Sequence, residues 1–143
     1  MNGTLTRDVT VTVIGQPGQP GQPGPAKLAG ELCYDSADPF AVRFCVQTPG
    51  QPGGTVTWLF ARDLLLAGTK GPAGYGDVRL APVAGMRVRD HYLRVDLDNG
   101  RAVAAVCLPL LSVAEFLVAS YSIVPSGHES VAFDGICARL LER

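Results

Sequence analysis

Hydrophobic and polar positions along this chain change period several times, and each change marks an element. From residue 5 to 14 the apolar positions Leu5, Val9, Val11 and Val13 alternate with Thr6, Asp8, Thr10 and Thr12, broken on the apolar side by Arg7. That period of two, rich in β-branched residues, predicts a half-buried strand. Further strands are predicted at 28–34 and 41–47 around Asp35-Ser-Ala-Asp38-Pro39, where short polar side chains bond nearby backbone and proline presets φ. Residues 55–60 form another, with Val56, Trp58 and Phe60 on one face. The period then lengthens, and 62–67 predict a short helix that Gly68 stops. Gly71-Pro-Ala-Gly-Tyr-Gly76 is a loop and 77–83 a strand. Residues 92–97 and 101–108 flank Asp98-Asn-Gly100, a hairpin signal because Asn-Gly accepts positive φ at both turn centres. Ser112-Val-Ala-Glu115 reads as a capping box with Leu111 and Phe116 as its hydrophobic staple, predicting about three helical turns. Asp134 is placed to cap a last amphipathic helix whose apolar face holds Ile136, Leu140 and Leu141.

Many short strands with the helices gathered late, and no alternation of strand with helix, predict an α+β domain built on antiparallel sheet. The 143 residues suffice for one core, so a single domain over 1–143 is expected. It is interrupted at 15–24 by Gly15-Gln-Pro-Gly-Gln-Pro-Gly-Gln-Pro-Gly24, whose prolines fix φ and remove donors; a mobile, extended loop between strands is expected there. Gly at every third position suggests collagen, but the repeat is too short for a triple helix and the rest of the chain lacks it. Gly50-Gln-Pro52 reads as a turn of the same style.

Charge and cysteine usage narrow the chemistry. Twelve basic against thirteen acidic side chains leave a formal net charge of −1, without the basic footprint that binds nucleic-acid phosphates. Cys33, Cys45, Cys107 and Cys137 form no C-x-x-C pair, and His91 and His128 stand alone, which argues against zinc and for reduced cysteines packed as small apolar residues. The N-terminal residues show no basic stretch followed by an apolar run, so no signal peptide is expected. Between Ala102 and Val124 only Glu115 is charged, but Pro109 and Glu115 favour a strand followed by a helix, and no stable membrane insertion is expected.

Three constellations invite a catalytic or binding reading. Asp35 and Asp38, with Asp63 and Asp77, resemble paired carboxylates, yet they more simply satisfy backbone donors and helix ends; Asp63 is placed to cap or to pair with Arg62. Ser126, His128, Glu129 and Ser130 suggest a small hydrolase, but they are crowded into one polar stretch without G-x-S-x-G. Trp58, Tyr92, Tyr34 and Phe60, flanked by Arg79, Arg87, Arg89 and Arg94, would suit a single-stranded nucleic-acid platform if their rings faced out together. Lys70 and the glycines at 71–76 lack the Gly-Lys-Ser/Thr of a phosphate loop.

Tyr34-Asp-Ser-Ala-Asp-Pro-Phe-Ala-Val42 and Val56-Thr-Trp-Leu-Phe-Ala-Arg-Asp-Leu-Leu-Leu-Ala-Gly68, followed by Gly76-Asp-Val-Arg79, resemble the SsgA-like proteins of actinomycetes, and within them the SsgB branch. The resemblance is strong over residues 28–83 and weaker beyond; the Gly-Gln-Pro tract departs from the family. It implies a whirly-like fold of antiparallel sheets with C-terminal helices, a homotrimer formed through sheet surfaces, and a cytoplasmic protein concentrated at the division septum. It implies a non-catalytic regulator of sporulation-specific division that marks septum sites and helps recruit the tubulin-like FtsZ, with other SsgA-like proteins as partners. No cofactor, metal or nucleic acid is expected. Arg62 and Asp63, then Asp35, Asp38, Asp77 and Arg79, are the expected protein-interaction residues, being polar positions within an apolar motif.

Overall fold

The computed structural model describes residues 3–15, 26–47, 54–74, 76–98 and 103–129. Both Gly-Gln-Pro stretches, the Asn99-Gly100 turn and the expected helix from Asp134 lie outside these residues. The alternating segments become strands β1 (Thr4–Gly15), β2 (Ala26–Asp35), β3 (Ala41–Gln47), β4 (Thr55–Ala61), β5 (Val78–Val83), β6 (Tyr92–Asp98) and β7 (Val103–Pro109). Helix α1 (Arg62–Lys70) follows β4, and α2 (Leu110–Ile123) follows β7. A 3-10 turn at Val88–Asp90 lies between β5 and β6.

The strands form one sheet in the order β4-β3-β2-β1-β7-β6-β5, and every neighbouring pair is antiparallel. This is the expected α+β class. Two meanders, β1 to β4 and β5 to β7, meet where β1 pairs with β7, with an irregularity between Val13 and Gly15. The Asp98↔Val103 pair is what a hairpin between β6 and β7 requires. Strand β4, midway along the chain, ends up at one edge of the sheet.

Period-two alternation places Val9 and Val11, Leu32 and Tyr34, Val42, Phe44 and Val46, Phe60, Leu80, Leu93 and Val95, and Val106 and Leu108 on a single buried face. Leu65 of α1 and Val113, Phe116 and Leu117 of α2 close over it. Phe44 stacks on Trp58 and Phe60 with ring centroids 5.9 and 6.0 Å apart, adding aromatic contact to plain apolar burial. Arg7 shares the buried-face parity, and its Nη2 donates to Glu115 Oε1 of α2 at 3.3 Å. A charge that breaks the apolar pattern of β1 is thus answered from the helix lying over it.

Two helix boundaries differ from expectation, both because tertiary contacts replace local signals. Gly68 does not stop α1, which continues to Lys70; a Cβ at Gly68 would sit 2.6 Å from Leu80 Cβ, so glycine here permits α1 to lie close on β5. Helix α2 begins two residues before Ser112, after Pro109, with no side-chain cap. The amide of Leu110 instead donates to His91 O at 3.0 Å, satisfying one of the orphan donors of the first turn. Leu111 is 54 % exposed, so no hydrophobic staple forms, and α2 spans 14 residues rather than three turns.

Gly68→Val is expected to destabilise the protein by about 1–3 kcal/mol through overpacking against Leu80. A lower denaturant midpoint at unchanged slope is the measurement that checks it.

Candidate functional site

The first residue of α1 is the largest fully buried side chain among the described residues. Arg62 is 1 % exposed, and its guanidinium lies between two tyrosine rings, 4.8 Å from the centroid of Tyr34 on β2 and 3.9 Å from that of Tyr121 on α2. Nη1 donates to Ser120 O at 3.1 Å, near the C-terminal end of α2. Nη2 lies 3.3 Å from Glu129 Oε1, an ion pair whose alignment falls short of a hydrogen bond, and Nε has no partner among the described residues. Glu129 is itself fixed by the amide of Gly127, which donates to Oε1 at 2.7 Å. The cation is stabilised by a carboxylate, a helix-end carbonyl and two ring faces at once.

The elements around it are tied to the same point. The amide of Arg62 donates to Phe40 O at 2.7 Å, satisfying one of the orphan donors of the first turn, which has no side-chain cap. Tyr34 Oη donates to Pro39 O at 3.1 Å. Asp63 neither caps α1 nor pairs with Arg62; it accepts from Tyr121 Oη at 3.1 Å. Burial, with the Asp63 carboxylate beside it, pushes the Tyr121 phenol up to about 12, and burial also raises Tyr34, opposed by Arg62.

Of the six expected interaction residues, Arg62 alone is buried, so in this structure it acts on a partner only through what it positions. Asp35 accepts from the amide of Ala37 at 2.9 Å, an Asx turn, and its carbonyl accepts from Asp38 N at 2.9 Å. Asp35 and the exposed Asp38 come together with Cys33, Ala41, Arg43, Thr57 and the exposed Leu59 around a cavity of about 350 Å³. Asp77 and Arg79 lie on the other half of the sheet. Asp77 accepts from Asp98 N at 2.8 Å through its carbonyl, and Arg79 stands opposite Asp96, which Arg94 holds at 3.2 Å.

The rival constellations are not assembled. Tyr34 and Phe60 are buried, Trp58 is half-buried on the core face, and Tyr92 lies on the opposite face of the sheet, so the four rings form no platform. Glu129 turns inward to Arg62, whereas Ser126 and His128 are exposed; Ser130 lies outside the described residues. Cys33, Cys45 and Cys107 are free thiols, and Cys33 donates to Glu31 Oε1 at 3.0 Å. Burial and that carboxylate push the Cys33 thiol up to about 12, leaving it protonated and unreactive near neutrality. Among the described residues no helix is long and apolar enough to cross a membrane, and no group of three or more metal-ligating side chains is found.

Sequence reasoning missed Tyr121, Ser120 and Glu129 as partners of Arg62. They lie 58 or more positions away, and no local pattern links them.

The family model described as "Streptomyces sporulation and cell division protein, SsgA" matches residues 28–129. The sporulation-specific cell division protein SsgB of Salinispora tropica is 38 % identical over 103 residues, covering 72 % of this chain and 71 % of that protein. SsgB of Streptomyces coelicolor is 37 % identical over 106 residues, covering 72 % of each. The crystal structure of an SsgA-like sporulation-specific cell division protein from Thermobifida fusca superposes with a TM-score of 0.81 at 29 % identity, over 99 % of this chain and 96 % of that one.

Two outcomes test the Arg62 assembly. Arg62→Ala, which strands Glu129, is expected to cost about 3–5 kcal/mol in denaturant unfolding. In an alkaline absorbance titration, Tyr34 and Tyr121 ionise above the ordinary value of about 10, and Tyr121→Phe removes the step near 12. Because the folded value of Tyr121 is raised, its stabilisation is full below about pH 10 and is lost as pH climbs through about 12; the Phe variant flattens that dependence.

Proposed function

Since the chain belongs to the SsgA family of sporulation and cell division proteins, we propose that it is a non-catalytic regulator that marks septum sites and helps recruit FtsZ during sporulation-specific division. What supports this reading is the likeness to sporulation-specific cell division proteins over nearly the whole fold, joined to a core that leaves the motif carboxylates at the surface. Asp35, Asp38, Asp63, Asp77 and Arg79 are the side chains available to a protein partner, with Arg62 holding α1 and the Asp35–Phe40 turn in place beneath the first three. Asp38 and Leu59, which line the 350 Å³ cavity, set a charge beside an exposed apolar group.

A homotrimer at the septum would present this surface several times, so that weak single contacts gain by effective concentration. Other family members are the natural co-partners. Light scattering is expected to give three times the chain mass; a monomer would remove the multivalent mechanism.

The experiment that tests recruitment is co-sedimentation of the protein with FtsZ polymers. Binding is expected, and Asp38→Arg should weaken it by roughly tenfold, the loss of one well-placed contact. No pelleting with FtsZ, alone or with other family members added, would refute the recruitment reading.

A further inference from the structure

Four of the nine exposed large apolar side chains among the described residues gather at one corner: Val83, Met86, Tyr92 and Leu111. Val83 and Tyr92 are paired across β5 and β6, Tyr92 lies opposite Pro109 at the end of β7, and Leu111 is in the first turn of α2. Between Val83 and Tyr92 the chain forms a loop whose tip carries Met86, 101 % exposed, followed by the exposed Arg87 and Arg89. Neither arginine forms an ion pair among the described residues.

The loop is braced. The amide of Asp90 donates to Arg87 O at 2.9 Å, the carbonyl of Asp90 lies where a Cβ of Gly85 would fall, and Leu110 N donates to His91 O at 3.0 Å. Its apolar tip is therefore held outward by the fold, with no hydrophobic partner among the described residues. The acidic groups nearby are accounted for: Glu115 faces Arg7, Asp96 faces Arg94, and Asp90 alone offsets the two free arginines. Met86 stands free in solvent, so this corner presents a projecting apolar tip.

A projecting apolar residue flanked by unpaired arginines, with a tyrosine behind it, suits the boundary between headgroups and acyl chains. We propose that the β5–β6 loop and the first turn of α2 form a peripheral docking surface for an anionic lipid bilayer. Met86 enters the interface, while Arg87 and Arg89 bind phosphate headgroups. Such contact is weak for one copy and falls with salt, because exposed charges are screened.

The full chain is tested by co-sedimentation with vesicles of phosphatidylcholine carrying about a third phosphatidylglycerol, against phosphatidylcholine alone. Several-fold more protein is expected to pellet with the anionic vesicles, and raised salt should release it. Met86→Asp, and Arg87→Gln combined with Arg89→Gln, should each lower the bound fraction severalfold with an unchanged unfolding midpoint, since these positions are exposed. Val56→Ser, on the edge strand β4 at the opposite side of the sheet, should leave binding intact. Equal pelleting with both vesicle types, no pelleting, or indifference to Met86→Asp would overturn the proposal. Displacement by soluble polyglutamate with Met86→Asp still fully bound would overturn it in favour of an acidic protein partner.

Discussion

The buried guanidinium of Arg62 is the constraint on which the arrangement of the helices depends. A charge removed from water needs partners at close range, and these come from three places in the chain: Tyr34 on β2, Ser120 and Tyr121 on α2, and Glu129 beyond it. Because Arg62 is also the first residue of α1 and its amide bonds Phe40, satisfying the charge fixes the exit of β4, the turn before β3 and the end of α2 together. Apolar packing alone would tolerate sliding of α1 over the sheet. A cation with directed partners does not, since each displacement breaks a hydrogen bond or exposes a ring face.

From this follows the division of labour between the sheet's two faces. With both helices held against one face, β-strand alternation leaves the other to Thr, Asp, Glu, Arg and half-buried Cys side chains, with Leu59, Val83 and Tyr92 as exposed apolar groups. The motif shared with the SsgA family is split accordingly: Tyr34, Phe60, Arg62, Leu65 and Gly68 serve the interior, whereas Asp35, Asp38, Leu59, Asp63 and Arg79 reach the surface. A single sequence block thus carries both the scaffold and the groups free to meet a partner. The two edges of the sheet differ as well, because Ala73 bonds reciprocally with Leu80 along β5, and β5 also contains Pro82, while β4 is uncharged throughout.

Much of the architecture was legible in the order of residues. Alternation is a local property, so the strands and their buried parity could be read from Val9 and Val11, from Phe44 and from Leu93 and Val95 without knowing any neighbour. The turn chemistry of Asp35 was legible for the same reason, its carboxylate bonding an amide two residues on. The candidate site was only half legible. Arg62 and Asp63 stand out as polar residues inside an apolar run, but the expectation that Asp63 caps α1 or pairs with Arg62 fails, because the fold gives each a different partner.

What the sequence by itself determined is the antiparallel α+β class, the strands with their inward faces, and membership of the family through its motif blocks. What only the tertiary structure decided is where charges go and where helices end. Gly68 reads as a stop signal until Leu80 is seen 2.6 Å from its missing Cβ, and Ser112 reads as a cap until His91 is found accepting the amide of Leu110. Arg62 reads as a surface residue until Tyr34, Tyr121 and Glu129 enclose it. The physical reason is common to all three: backbone conformation is biased by adjacent residues, but the free energy of burying a charge, an amide or a bare Cα depends on partners that only the folded chain brings within reach.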